Sequence, residues 1–467
     1  MRKTKILCTV GPATQSVEML QQLVKAGANV FRLNMSHSPH EVVRQLVPRI
    51  RAVAKESGVI IGILMDTQGP AIRTGVLPEP LTLKPGDVFE FTIGDAPAQE
   101  AYSVGVNYDG LIDDISVGDK VLVDNGVIHM RAVAKGQGRI RCEVLTDGVM
   151  GSRRHINLPG VKVNLPALTE KDLEDVALGA ELGVDYVALS FCREAGDVDA
   201  LRKVLNEHGS HARIVAKIED QSAVRNVNAI IDNADIVMVA RGDLGVECPM
   251  EELPIIQRKI VKRCMQRGRP VIVATHMLES MISSPVPTRA EITDVANAVY
   301  EQADAIMLSG ETSVGKYPVQ CVQVFDRVAR RIERSGGAGF ASQAVLRDDR
   351  QRTVNSAVVL ANSLPGAKMI LFTRRGTMAD YVSTMRPVYA PLYAFAPTYE
   401  ICRRIVLNWG VTPFCLPFDP NPLRTIGAAQ ALLVAEGLVK SGDHLVIVSD
   451  MLAGEDRFDS VQLRVVP

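Results

Sequence analysis

The feature that most constrains this chain is the repeated pairing of a short apolar run with an amphipathic segment. Eight runs read as strands: TKILCTV (4–10), NVFRLNM (29–35), IIGILMD (60–66), DYVALSF (185–191), RIVAKIE (213–219), DIVMVAR (235–241), PVIVATHM (270–277) and DAIMLSG (304–310). Most are followed by a helical pattern, as in SVEMLQQLVKAG (16–27) and PIIQRKIVKRCMQRG (254–268). Repeated strand–helix units build a parallel sheet, buried on both faces. Eight of them predict an α/β fold with a closed (β/α)8 barrel, a doubly wound open sheet being the alternative.

The pattern breaks twice. Between Thr67 and about Pro166 the helical periodicity vanishes, and turn signals such as KPGD (84–87), VGDK (117–120) and KGQG (135–138) separate short alternating runs. This predicts an all-β, barrel-like insert over 68–166, after the third barrel strand, where a lid belongs. The barrel itself takes 1–67 and 167–336. After RSGGAGFASQ (334–343) a further alternation begins, with KMILFT and HLVIVSD as strands, and predicts an open-sheet α/β domain over 344–467.

Composition removes several function classes. A formal net charge of −1 with no long basic run gives no electrostatic support for nucleic-acid binding. The eight cysteines are scattered without a Cys-x-x-Cys, which fits reduced thiols better than a disulfide framework. The opening MRKTKILCTVGPAT has too short an apolar core for a signal peptide, and no apolar run approaches membrane-spanning length. The expectation is a soluble cytoplasmic protein with no membrane or nucleic-acid partner.

In such barrels the chemistry gathers at the C-terminal ends of the strands. Those ends supply Arg32, Asn34 and Ser36, then Asp66 and Thr67, Lys217 and Glu219, Gly242 and Asp243, and Thr275. In IVAKIEDQ (214–221), Lys217 and Glu219 stand two residues apart and so face the same side of an apolar strand. A structural ion pair is the bland reading of that pair, but the convergence of polar groups from five strand ends on one rim favours a site. Glu219 and Asp243 suit one hard divalent cation such as Mg2+, with substrate and water completing its shell. Asn34, Ser36, Asp66 and Thr67 offer neutral oxygens with a single carboxylate, which suits a monovalent cation or a hydrogen-bonded substrate. Lys217, Arg32 and Arg73 add positive charge, and cations around a metal point to phosphoryl transfer.

Other motifs carry less. GETSVGKY (310–317) nearly spells a phosphate loop but ends in Tyr317 where a Ser or Thr would hold Mg2+. RGD (241–243) sits at a strand end rather than in an adhesive loop. His276 reads as a structural residue more readily than as a ligand.

Taken in order, TKILCTVGPAT, NVFRLNMSH, MDTQGPAIRTG, INLPG, VAKIEDQSAVRNVNAII, VMVARGDLGVE, ATHMLESMISSPVPTRAE and ADAIMLSGETSVGKYP resemble the pyruvate kinase family over nearly the whole chain. The resemblance implies a barrel, an inserted lid, a C-terminal regulatory domain and a homotetramer. It implies transfer of phosphate from phosphoenolpyruvate to ADP, giving pyruvate and ATP. By position, Lys217 would neutralise the phosphoryl group in flight and Arg32 would contact it. Glu219 and Asp243 would hold Mg2+, with Mn2+ as a substitute. Gly242 and Thr275 would meet the substrate carboxylate, and Thr275 with water would protonate the enolate. Asn34, Met35, Ser36, His37, Arg73 and Arg154 would meet the nucleotide, and Asn34, Ser36, Asp66 and Thr67 a K+ ion. A carbon–carbon lyase of the phosphoenolpyruvate/pyruvate type and a non-catalytic metabolite sensor are the competing readings. The first would not need Lys217 together with a lid and Arg73, and the second should have lost a site residue.

Three positions depart from the family pattern. Ala71 stands where a Glu usually accompanies K+ dependence and a Lys usually replaces the ion, which leaves the need for K+ open. Arg154 and His155 stand where Lys and Gly are usual. FTRRGTMA (372–379) resembles the C-domain loop that holds an effector phosphate through small hydroxyl residues, but Arg375 and Met378 replace two of them. The closing AGEDRFDSVQLRVVP also lacks the usual glycine-rich loop. Regulation by fructose 1,6-bisphosphate is therefore disfavoured; another anion could use Arg374 and Arg375, or the region is simply a solvated helix start.

Overall fold

The computed structural model describes residues 2–453 and 456–467. Gly454 and Glu455, in the closing segment noted above, lie outside the described residues. Eight parallel strands close into a barrel: β1 Lys5–Val10, β2 Val30–Asn34, β3 Gly62–Asp66, β4 Tyr186–Leu189, β5 Arg213–Ile218, β6 Ile236–Ala240, β7 Val271–Ala274 and β8 Ala305–Leu308. They run in sequence order round the ring, and β1 pairs with β8 through Lys5–Ala305 and Ile6–Ile306. The closed barrel is what eight successive strand–helix units dictate, and the open-sheet alternative falls.

The helices end where local chemistry ends them. Val17–Ala26 is capped by the Ser16 side chain, which accepts from the Met19 N–H, and stops at Gly27 with φ 117. Leu253–Arg267 stops likewise at Gly268 with φ 75. Inward from the strands, Leu7, Leu64, Val215, Met238, Ile272 and Met307 fill the barrel axis. Outward, a larger apolar layer packs strands on helices. Burial of this kind supplies roughly 25 cal/mol per Å2 and is the main force holding the ring closed.

Between β3 and β4 the chain forms a six-stranded sheet and a two-stranded one, with a separate core around Phe89, Phe91, Met130 and Ile140. The sheet's edge strands, Ile156–Asn157 and Tyr102–Val106, do not pair directly. Arg73 and Thr74 link the two edges instead, through single bridges to His155 and Val106, so the sheet is nearly closed.

The C-terminal sheet holds β9 Lys368–Phe372, β10 Leu392–Ala396, β11 Val411–Cys415, β12 His444–Ala453 and β13 Asp456–Val465, in the order β11-β10-β9-β12-β13. Only the last pair is antiparallel. This domain docks on the N-terminal ends of the barrel strands. Arg403 meets Asp185 at 2.8 Å and the fully buried pair Arg386–Asp304 closes at 2.8 Å. The opposite rim is left to the insert and the candidate site.

Candidate active site

Four of the expected side chains meet on the C-terminal rim. Lys217 Nζ lies 2.9 Å from Glu219 Oε1 and 3.2 Å from Asp66 Oδ1, and donates to Ser190 Oγ at 2.8 Å. An ammonium has three protons, so this arrangement uses all of them. Arg32 donates through Nε to Asp66 Oδ2 at 2.6 Å and through Nη1 to Thr9 Oγ1 at 3.0 Å. The barrel register explains the meeting. Asn34 on β2 is opposite Asp66 on β3, Ala188 on β4 is opposite Asp66, and Leu189 is opposite Ala216 on β5.

The electrostatics follow from burial. Burial alone would raise the Asp66 carboxyl, but Lys217 and Arg32 outweigh it and hold Asp66 below the usual carboxylate range. Burial pushes Glu219 up to about 7, Lys217 opposing it and Asp243 adding to it. Burial also works against the Lys217 ammonium, yet Asp66 and Glu219 raise it above an ordinary lysine. The Lys217 ammonium therefore stays charged at every physiological pH.

Asp243 sits on the short helix Arg241–Glu247 that follows β6. Among the described residues its carboxylate has no hydrogen-bond donor and no ion pair, and its charge adds to the burial that raises Glu219. Two carboxylates in this condition fit a divalent cation. No group of three or more His, Cys, Asp or Glu able to hold a metal occurs among the described residues.

Beside them the Gly242 N–H donates to Thr275 Oγ1 at 2.6 Å, and Thr275 Oγ1 donates to the Ala274 carbonyl at 2.7 Å. Thr275 has φ 68 and His276 φ 54, strained conformations for side-chain-bearing residues, which aim the Thr275 hydroxyl across the rim. Arg241 of the RGD tripeptide fixes that turn, reaching Thr275 O at 2.8 Å while gripping Asp294 with both terminal nitrogens. The near-phosphate-loop after β8 proves structural: Glu311 is buried and accepts the N–H groups of Leu278 and Ser309.

The Pyruvate kinase barrel domain family matches residues 1–322, and the Pyruvate kinase alpha/beta domain family matches residues 351–462. This chain belongs to the pyruvate kinase family. It is 42% identical to plastidial pyruvate kinase 2 of Arabidopsis thaliana, covering 96% of this chain and 78% of that one. It is also 42% identical to pyruvate kinase of Geobacillus stearothermophilus, covering 97% and 78%. A crystal structure of a pyruvate kinase from Cryptosporidium parvum superposes with a TM-score of 0.94 at 34% identity, covering 100% of this chain and 96% of that one. As a pyruvate kinase the chain is a phosphotransferase, and glycolysis is its setting.

Within this pyruvate kinase frame, several expected residues stand differently from the expectation. Met35 is buried in the apolar layer behind the strands, so only its backbone remains, and its carbonyl accepts from Lys171 at 2.9 Å. Both Asp66 oxygens are engaged by Arg32, Lys217 and Ser190 rather than standing free. Asn34 Oδ1 accepts from the Ser36 N–H at 3.2 Å, and Thr67 Oγ1 donates to Ala188 O at 3.0 Å. His37 is exposed beside them. Arg73 and Arg154 lie on the insert, Arg73 bridged to His155 and Arg154 paired with Asp124 at 3.3 Å.

Sequence reasoning missed Ser190 and Phe191. Ser190 Oγ joins Lys217 to Asp66, and the Phe191 N–H donates to Glu219 Oε2 at 2.6 Å. The signal was available: both lie just past the end of β4, the strand end left out when the rim was assembled. Gly69, φ 73, turns the chain into the insert hard against Ser190, where a Cβ would lie 2.8 Å from the serine Cβ.

Where the insert meets the barrel, a cavity of about 70 Å3 is lined by Asn157, His155, Arg193, Asp220 and Glu247 among others. Burial pushes Glu247 up to about 7, and its Oε1 accepts from Asn157 Nδ2 at 3.0 Å. An unfolded glutamate ionises near 4.5. The folded state therefore binds the extra proton, and stability falls as pH rises from about 4.5 to about 7. Such a difference between the folded and the unfolded carboxyl corresponds to about 3 kcal/mol. Glu247→Gln is expected to flatten this part of the stability–pH curve and to raise Tm at pH 8, measured by thermal unfolding across pH 4.5–8. A parallel downward shift of the whole curve would exclude a titrating Glu247.

Proposed function

We propose that this chain transfers the phosphoryl group of phosphoenolpyruvate to ADP, with Lys217, Arg32, Glu219, Asp243, Gly242 and Thr275 as its working residues. The observation that carries this reading is the Lys217 ammonium held between two buried carboxylates beside Arg32, on the same rim as the unpaired Asp243. Glu219 and Asp243 would hold Mg2+, which when bound neutralises the phosphoryl and enolate oxygens. Lys217 would exchange its bond to Glu219 for one to the transferring phosphoryl group. Arg32, anchored by Asp66 and Thr9, keeps further N–H donors for the same oxygens.

Gly242 N–H and the Thr275 hydroxyl would bind the substrate carboxylate. After transfer, the enolate takes a proton on its methylene carbon, and Thr275 would relay it from water by turning its hydroxyl away from the Ala274 carbonyl. Asn34, Ser36 and His37, the Met35 backbone, Arg73 and Arg154 would meet the nucleotide. The insert over 68–166 would close over the rim as a lid and exclude water, which competes with ADP for the phosphoryl group. We assign Asn34, Ser36, Asp66 and Thr67 to K+, with Asp66 shared between that ion and Arg32. The domain division 1–67 with 167–336, 68–166 and 344–467, the homotetramer and a cytoplasmic location belong to the same reading. The location is supported by eight free cysteines, seven of them buried.

The test is pyruvate formation from phosphoenolpyruvate and ADP with Mg2+, in matched potassium and tetramethylammonium buffers. Turnover confined to potassium is expected. Equal turnover in both would remove the K+ assignment and keep the kinase. Folded protein silent in both would remove the kinase.

A further inference from the structure

The insert joins the barrel through two segments of chain that are bonded to each other before they reach it. The Ile156 N–H donates to the Ile72 carbonyl and the Thr74 N–H to the Arg154 carbonyl, both at 2.8 Å. His155 lies in the middle of this ribbon. It is bridged to Arg73, and its own carbonyl accepts from the Asp124 N–H at 3.0 Å. Backbone bonds on both sides fix where its side chain leaves the chain, so the ring moves with the insert.

Among the described residues the His155 imidazole makes no hydrogen bond and no ion pair. Its contact is with the Phe191 ring, the centroids 5.7 Å apart and the planes tilted by 56°, within the range of favourable aromatic pairs. Burial lowers the imidazole pKa, with Asp243 opposing and Arg73 assisting, so the ring is neutral at pH 7. It packs on Phe191 without adding positive charge beside Glu219 and Asp243.

Phe191 is what gives the contact a consequence. It follows β4 at φ 53, a left-handed conformation that a residue with a side chain keeps only where its neighbours enforce it. Both connections of the insert supply such a neighbour. On one, a Cβ added to Gly69 would lie 2.9 Å from Phe191 Cδ2; on the other stands the His155 ring. Held between them, Phe191 donates its N–H to Glu219 Oε2 at 2.6 Å, while Lys217 holds Oε1 at 2.9 Å. One oxygen of Glu219 is thus fixed from within the barrel, and the other through a residue that the insert clamps.

We propose that His155 is a positioning residue for Glu219, its ring holding Phe191 so that the Phe191 N–H aims the carboxylate at its cation, a role that rests on the reading of Glu219 and Asp243 as the Mg2+ pair. An insert swung outward takes His155 with it, and Phe191 loses one wall of its clamp. Glu219 then loses its fixed aim. Cation affinity and the position of the insert are therefore linked, and each biases the other.

Binding of Mn2+ to the full chain tests this without substrate or nucleotide, followed by loss of the free ion's electron paramagnetic resonance signal. The parent is compared with Glu219→Gln, His155→Ala and His155→Phe. The parent is expected to bind Mn2+ and Glu219→Gln to lose it. His155→Ala should weaken binding about tenfold, the lower end of what a group supporting a metal ligand is worth. His155→Phe keeps a ring against Phe191 and should recover most of that loss. Parental affinity in His155→Ala would overturn the proposal, and so would His155→Phe binding as weakly as His155→Ala. In either case the loss in Glu219→Gln would leave the metal pair standing. Binding that survives Glu219→Gln, or none by the parent, would remove the metal pair and the proposal with it.

Discussion

Replacing Lys217 with methionine is expected to lower kcat for pyruvate formation by roughly 10³-fold or more, with the KM for phosphoenolpyruvate changed only a few-fold. The size follows from removing a preorganised charged donor from a buried phosphoryl-transfer site, where one such group is worth about 10²- to 10⁵-fold. The split follows from the geometry. Arg32, Gly242 and Thr275 would still hold the substrate in its ground state, whereas Lys217 stands where charge spreads during transfer.

Folding should survive the change. Methionine keeps the unbranched stem, Asp66 retains Arg32, and Glu219, already pushed up to about 7, can take a proton once its ammonium is gone. Steady-state kinetics with near-ultraviolet circular dichroism would decide the matter. A well-folded variant within tenfold of the parent kcat would mean that Lys217 only balances the buried charge of Asp66 and Glu219. The same residues would then be a structural triad, and Arg32 would be the remaining candidate for the transition-state cation.

The barrel and the central part of its site were legible because both rest on rules with a strong signal. Eight apolar runs spaced by amphipathic segments leave little choice of topology, and charged residues at the ends of buried strands have few reasons to be there. The strand ends themselves were less readable. DYVALSF and PVIVATHM read as strands to 191 and 277, but β4 stops at Leu189 and β7 at Ala274. There the backbone turns left-handed at Phe191, Thr275 and His276, which hydropathy does not register. The same turns carry Ser190 and the Phe191 N–H into the site, and a serine at the end of an apolar run looks like filler. At Met35 it was the side chain's place that was hard to read. Met35 lies among the candidate rim residues in NMSH, one residue past the end of β2, and its side chain packs in the apolar layer. The insert was expected to be barrel-like, but that Arg73 and Thr74 nearly close it was beyond reach, since single bridges leave no periodic pattern.

Asp243→Asn is expected to abolish most Mg2+-dependent activity while leaving the metal-free protein as stable as its parent or more so. Asp243 is a carboxylate without a donor, and its charge helps to hold Glu219 away from ionisation. Neutralising it removes that repulsion and lets Glu219 pair more fully with Lys217, so the apoprotein has nothing to lose. What it loses is one of the two carboxylates proposed to hold a hard cation that prefers charged oxygens. Apparent Mg2+ affinity should fall by roughly 100-fold, at least the size of effects seen on disturbing groups that only support a metal ligand. The change is readable without catalysis. Mg2+ at 100 times its dissociation constant stabilises a folded protein by about 2.7 kcal/mol, so the parent's Tm should climb with added Mg2+ and the variant's should not. A variant whose Tm still rises with Mg2+ at parental concentrations would show that the ion sits elsewhere. Such a trade of stability for a ligand is expected where a site must keep a charge unpaired until its cation arrives.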